Sequence, residues 1–107
     1  MADTDRKLLE LAAKAAGIEY AGYCPAGLTF HHRGPWNPID DDGDALRLAV
    51  RLGLEITNDR FQVIVTSGAW YDRCVDVPGA SEKKGVDDYA ATRRAIVRAA
   101  AQTGKLM

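Results

Sequence analysis

The sequence predicts an α+β fold: three helices packed on a mainly antiparallel sheet of four to five strands, in a layered sandwich of order αββαββ(β)α. Three observations lead to this prediction. Apolar residues recur at helical spacing near the start, middle and end of the chain. Segments rich in β-branched and aromatic residues lie between them. The length of 107 residues suits one core, so residues 1–107 are expected to form a single domain.

The first helix is predicted from Asp5 to Ala16, with Gly17 as its left-handed stop. Either Asp3 or Thr4 can cap its N-terminus. Its apolar stripe is expected to consist of Leu8, Leu11, Ala12 and Ala15. A first hairpin should follow, with one strand in residues 18–24 and the other in residues 28–32.

The stretch from Pro35 to Gly53 is the best-specified part of the chain. Pro35 and Pro38 stiffen the backbone around Trp36 and should hold that side chain in a fixed place. A helix is then expected to begin near Gly43 and to end at Gly53. Its cap is Asp40 or Asp42, and its apolar stripe is Ala45, Leu48, Ala49 and Leu52.

A second hairpin is predicted from residues 54–57 and 61–66, joined by the turn at residues 58–60. Residues 69–77 are expected to form a further strand. The small and charged residues 78–85 indicate a mobile surface loop. A last helix is predicted over residues 89–103, capped by Asp87 or Asp88 and stopped by Gly104; its apolar residues are Tyr89, Ile96, Val97 and Ala100.

Composition argues against a partner recruited by charge alone, because the net charge is only -1. The N-terminal residues lack the pattern of a signal peptide, and no apolar run approaches the roughly 20 residues that span a bilayer. We therefore expect a cytoplasmic protein without membrane contact. Cys24 and Cys74 lack zinc-site or redox-motif spacing, and buried thiols are favoured over a disulfide.

The acidic run of Asp40, Asp41, Asp42 and Asp44 invites comparison with a calcium loop. With Asp40 as first ligand, Ala45 and Arg51 occupy the positions that need glycine and glutamate. Helix capping with solvated carboxylates is the favoured interpretation, and weak binding of a divalent ion stays open.

Candidate metal ligands and nucleophiles are isolated in the sequence. His31 and His32 are adjacent, so at most one could join Cys24 or Asp72 in a given metal site. Neither Cys24 nor Cys74 lies in a local catalytic signature. The sequence therefore predicts no catalytic residue, no metal site and no cofactor, and the protein is expected not to be an enzyme.

Three surfaces are candidates for binding a partner, and one of them is the acidic face of Asp40, Asp41, Asp42 and Asp44. The last helix can present a basic face, formed by Arg93, Arg94, Arg98 and Lys105, to phosphates or to an acidic protein; a solvated helix face is the favoured alternative. The aromatic residues are better candidates for a protein interface, because tryptophan and tyrosine are enriched in interface hot spots. Trp70 and Tyr71, followed by Asp72 and Arg73, would face opposite sides of a strand. Trp36 is either a core residue, which is favoured, or an exposed anchor.

Three segments together resemble a known group of proteins: residues 7–17, residues 36–38 followed by 41–49, and residues 89–101. The set is similar to small proteins of tailed phages and prophages of Gram-negative bacteria that carry a phage alpha-beta-alpha sandwich domain, distantly similar to the NinX family. This resemblance implies helices layered around a sheet and a phage accessory role, and it implies no catalytic residues. Residues 62–84 match no pattern of that family.

The sequence therefore favours a phage accessory protein that binds a host macromolecular partner and modulates or inhibits it. A host defence complex, such as a CRISPR effector, is the partner class expected first. The alternative is a nucleic-acid-binding accessory protein that uses the basic face of the last helix. Monomer and homodimer both stay open.

Overall fold

The computed structural model describes residues 3–18, 22–24, 27–30, 34–58, 60–67, 79–85 and 87–105, and it has an α+β architecture. The helices are α1 (Asp3–Ala16), α2 (Asp42–Leu52) and α3 (Asp88–Lys105). The strands are β1 (Gly22–Cys24), β2 (Gly27–Phe30), β3 (Gly34–Trp36), β4 (Leu54–Asn58), β5 (Gln62–Ser67) and β6 (Gly79–Lys83). The predicted fold class is confirmed, as is the presence of a helix in each of the three expected places.

The described strands form two antiparallel sheets of three strands each, in the orders β1-β2-β3 and β4-β5-β6. The predicted sheet of four to five strands is not confirmed. Two of the observed strands were not predicted from the sequence. Strand β3 lies where a stiff turn was predicted, and β6 lies where a mobile loop was predicted. Proline, glycine and lysine in these segments do not favour a strand locally, and pairing with β2 and with β5 supplies the missing preference.

The second hairpin agrees with the sequence. Strands β4 and β5 pair in one unbroken register, from Leu54 opposite Ser67 to Asn58 opposite Val63. On β5, Val63 and Val65 are fully buried, whereas Ile64 and Thr66 are only half-buried. This alternation shows that one face of the strand points into the core. Strand β5 ends at Ser67. The strand predicted over residues 69–77 lies outside the described residues.

Two of the predicted glycine stops are confirmed. Gly17 has φ of 70°, and the bonds that close α1 run from Gly17 N–H to Lys14 O (3.2 Å) and from Ile18 N–H to Ala13 O (2.9 Å). This pattern is a Schellman motif. Gly53 has φ of 63° and ends α2 in the same left-handed conformation.

The third predicted stop is wrong. Helix α3 begins after Asp87, whose Oδ1 accepts a bond from Ala90 N–H (3.0 Å), but it runs through Gly104 to Lys105. Gly104 is buried within the helix and does not cap it. Its role depends on what α3 packs against, which the local sequence cannot reveal.

Helix α3 is the central element of the core and packs against α1, α2, β5 and β6. Its buried face is made mostly of small side chains: Ala95, Ile96, Val97, Ala99, Ala100, Ala101 and Gly104. On α1 the buried residues are Leu9, Ala12, Ala13 and Ala16, so the predicted stripe was displaced by about one position. Apolar residues occupy both sides of α1, and the side with more alanine is the one that can approach another helix closely.

The two helices approach each other closely at Gly104. A Cβ atom built at this position would lie 2.1 Å from the carbonyl oxygen of Leu11 in α1. No carbon atom can occupy that space, because unbonded carbon and oxygen atoms do not approach below about 3 Å in real structures. The backbones of α1 and α3 are therefore in direct contact, and only glycine fits at position 104.

We expect Gly104→Ala to lower the free energy of unfolding by about 1–3 kcal/mol, the usual cost of overpacking a core. The higher helix propensity of alanine, worth about 1 kcal/mol, is too small to prevent this loss. Urea denaturation of the two proteins measures the difference.

Gly85→Ala is the matched control, because no atom lies within 4 Å of a Cβ placed at that position. It should change the unfolding free energy by less than about 0.5 kcal/mol. Equal stability of the Gly104 variant and the parent protein would show that the helices are not held at this distance.

Candidate interaction surface

The turn between β3 and α2 is a buried structural unit. Trp36 is 7% exposed, Pro38 is fully buried and Ile39 is buried beside them. The interpretation of Trp36 as a core residue is therefore the correct one. The prediction that Trp36 belongs to the partner-binding surface is wrong, because its indole lies in the core and not in solvent.

Asn37 organises this turn through hydrogen bonds made by both its backbone and its side chain. Its Oδ1 accepts from Ile39 N–H (3.1 Å), and its Nδ2 donates to Asp40 Oδ2 (3.0 Å). Its backbone N–H donates to Asp44 Oδ2 (2.9 Å), and its carbonyl accepts from the N–H groups of Asp40 and Asp41. The buried amide is thus satisfied, as a polar group away from water must be.

The acidic run is largely explained by this turn and by the helix that follows it. The N-cap of α2 is Asp41, whose Oδ2 accepts from Asp44 N–H (2.8 Å), so the predicted caps Asp40 and Asp42 were each one position away. Asp44 Oδ1 accepts from Arg47 (2.9 Å). Within the described residues, no group of three or more histidine, cysteine, aspartate or glutamate side chains is arranged to hold a metal ion.

Asp42 is bound by Arg93, the first arginine of the predicted basic face. Arg93 Nη1 lies 2.6 Å from Asp42 Oδ1, and Arg93 Nε donates to the Ile39 carbonyl oxygen (2.8 Å). The Arg93 side chain is mostly buried, whereas that of Asp42 is mostly exposed. This arginine joins α3 to the start of α2.

The next two arginines of α3 join it to other elements. Arg94 contacts Asp5 of α1 (3.3 Å), and Arg98 contacts Glu82 of β6 (3.2 Å) and donates to the Ser81 carbonyl oxygen (3.1 Å). The sequence placed these residues on one solvated stripe, but each guanidinium group is partnered by a carboxylate of a different element. A phosphate would have to compete with these carboxylates.

The outer face of α2 carries large apolar side chains in solvent. Leu46 is 60% exposed and Val50 is 72% exposed. They lie four residues apart and therefore next to each other along the helix. Neither residue was predicted as a binding residue from the sequence. The available signal is that both are large apolar residues outside the apolar stripe of the helix. Other large apolar residues with exposed side chains are Ile56, Phe61 and Tyr89.

The pairing of β4 with β5 places the end of β5 near the C-terminal end of α2. Leu54 follows α2 after Gly53 and lies opposite Ser67 at the end of β5. The chain therefore leaves β5 beside the C-terminal end of α2. The predicted binding residues Trp70, Tyr71, Asp72 and Arg73 come after Ser67 and lie outside the described residues, as do His31, His32 and Cys74.

No protein-family model, curated protein or solved structure matches this chain. None of the helices in the described ranges is both long enough and apolar enough to cross a bilayer. The geometry of the described residues, together with the sequence, therefore carries the functional argument.

We expect Asn37→Ala to lower the free energy of unfolding by about 1–3 kcal/mol, because the backbone N–H of Ile39 would lose its acceptor in a buried place. Thermal denaturation followed by circular dichroism measures the loss. Asn58→Ala, at an exposed strand position, is the control and should be close to neutral. Similar melting of both variants would contradict the structural role of Asn37.

We expect Arg93→Met to destabilise the protein by about 1–3 kcal/mol, since it removes a charged donor from the Ile39 carbonyl and from Asp42. Lys105→Met replaces an exposed cation on the same helix and should change stability by less than about 0.5 kcal/mol. Chemical denaturation compares the two, and equal effects would mean that Arg93 does not join α3 to α2.

Proposed function

We propose that this protein is a phage or prophage accessory protein that binds a host protein complex and modulates or inhibits it, without catalysis. A host defence complex such as a CRISPR effector is the partner class that we name first, because small phage proteins without an enzymatic motif often bind host machinery of this kind. The observation that carries the proposal is the exposure of Leu46 and Val50, at 60% and 72%, on the outer face of α2.

Two adjacent aliphatic side chains on a helix are the minimal anchor for docking into a hydrophobic groove of another protein. Burying such a side chain contributes about 1.5–3 kcal/mol. Arg47, between them in sequence, keeps 71% of its side chain exposed even though it contacts Asp44. A partner groove with an acidic rim would match this combination of apolar anchors and a nearby cation.

Trp70 and Tyr71, which the sequence predicts as binding residues, are a second pair of candidate anchors for the partner. They follow Ser67, which lies opposite Leu54 immediately after α2. Large aromatic side chains dominate the binding energy of many interfaces. We therefore propose that the partner contacts both the outer face of α2 and the residues Trp70 and Tyr71.

The nucleic-acid alternative has less support. Affinity for nucleic acid comes largely from cations that neutralise phosphates. Arg93, Arg94 and Arg98 contact Asp42, Asp5 and Glu82 within the protein, and the net charge of the chain is -1. The geometry thus favours a protein partner over a polyanion.

The test is affinity capture of a partner from lysate of a Gram-negative host, followed by measurement of binding with the purified partner. The double variants Leu46→Ser/Val50→Ser and Trp70→Ala/Tyr71→Ala should each weaken binding at least tenfold, about 1.4 kcal/mol. Tyr89→Ser is the matched control, since Tyr89 is 72% exposed but lies at the start of α3.

Retention of the partner by both double variants, with folding verified by circular dichroism, would show that the proposed surface is wrong. Failure to capture any specific protein, combined with a mobility shift of DNA or RNA that falls steeply with salt, would instead favour the nucleic-acid alternative.

A further inference from the structure

One end of the β4-β5-β6 sheet combines an exposed aromatic ring with a lysine on the same face. Phe61 immediately precedes β5 and is 74% exposed. In the register of β5 with β6, Gln62 lies opposite Lys83. The next step continues this register, because Lys84 N–H donates to the Phe61 carbonyl oxygen (2.8 Å). Phe61 therefore lies opposite Lys84, and directly opposite residues of two antiparallel strands have their side chains on the same face.

Three cations lie around this ring. Arg60 and Lys83 are exposed, and Lys84 is half-buried. Within the described ranges none of the three forms a salt bridge, whereas three arginines of α3 each contact a carboxylate. Asp59 precedes Arg60 and lies outside the described residues. With its charge included, one aspartate stands against one arginine and two lysines in segments 59–62 and 83–85, so their net charge is +2.

A flat ring beside unpaired cations matches the two parts of a nucleotide. Bases stack on aromatic side chains, and phosphates bind lysine and arginine. Opposite residues of paired strands have Cβ atoms about 5 Å apart, so one nucleotide can reach Phe61 with its base and Lys84 with its phosphate. The arginines of α3 lack this arrangement, since their charges are already paired and the aromatic residue of that helix, Tyr89, lies at its start.

We propose that this end of the sheet binds single-stranded nucleic acid. One base stacks on Phe61, its phosphate contacts Lys84, and the neighbouring phosphates contact Arg60 and Lys83. A duplex keeps its bases stacked on each other, so it offers no free base to Phe61. Attachment to a lipid surface grows with the buried apolar area, and one phenyl ring supplies little of it. A single base needs only one ring.

This site is separate from the outer face of α2 and from the basic face of α3, and it is independent of the proposed function. Three phosphate contacts on a single strand correspond to a slope of about -2 in a plot of log affinity against log salt concentration. Binding should therefore be measurable at low salt and should weaken as salt is added.

Fluorescence anisotropy with labelled oligothymidylate of about 15 nucleotides, a length that covers usual site sizes, tests the proposal at low salt. The parent protein should bind this oligonucleotide more tightly than a duplex of the same length. Phe61→Leu keeps an apolar side chain but removes the aromatic face, and it should lower the affinity about fivefold or more. Lys84→Gln should reduce the steepness of the salt dependence by about 0.7.

Tyr89→Leu and Lys105→Gln are the matched controls, because they remove an exposed aromatic residue and an exposed cation of α3. Both should bind the oligonucleotide like the parent protein. Leu46→Ser/Val50→Ser should also bind it like the parent, which separates this inference from the proposed function. Circular dichroism verifies that each variant is folded.

A parent protein that does not bind the oligonucleotide at low salt overturns the proposal. So does binding that Phe61→Leu and Lys84→Gln both retain, or binding that is lost in Arg94→Gln/Arg98→Gln and kept in those two variants. Attachment to phosphatidylglycerol vesicles without binding of the oligonucleotide would overturn it in favour of a lipid surface.

Discussion

The direct backbone contact between α1 and α3 is the constraint on which the rest of the structure depends. At Gly104 the two helices are so close that a single methyl group would overlap the Leu11 carbonyl. Alanine on both helices permits this distance, and large side chains from β5 and α2 fill the space around them. Because α3 also packs against α2, β5 and β6, its position relative to α1 fixes where the other elements can lie.

Ion pairs between α3 and its neighbouring elements reinforce this packing and orient α3 relative to them. Arg93, Arg94 and Arg98 reach α2, α1 and β6 respectively, so one face of the helix contacts three different elements. Salt bridges at a surface contribute little individually, but Arg93 is mostly buried and also binds a backbone carbonyl. These contacts tie the acidic turn at the start of α2 to the centre of the molecule. The charges that first suggest a binding site in the sequence thus serve the fold.

Among the described residues, the candidates for binding a partner are apolar side chains that are exposed and do not pack in the core. The outer face of α2 keeps Leu46 and Val50 in solvent, and the β4 edge keeps part of Ile56 there. Neither place has a metal-binding cluster among the described residues. Apolar surface of this kind is suited to contact with protein, since burying it in a partner gains free energy without the cost of desolvating charges.

The sequence by itself determined the fold class, the three helices, the second hairpin and the left-handed stops at Gly17 and Gly53, because each depends on local periodicity or on local backbone conformation. Only the tertiary structure decided the role of Gly104, which looks like a helix stop until α1 is placed beside it. The same holds for β6, whose residues favour a loop until β5 offers hydrogen bonds, and for the arginines of α3, whose carboxylate partners are far apart in sequence. These features depend on contacts between distant segments, and no local pattern contains that information.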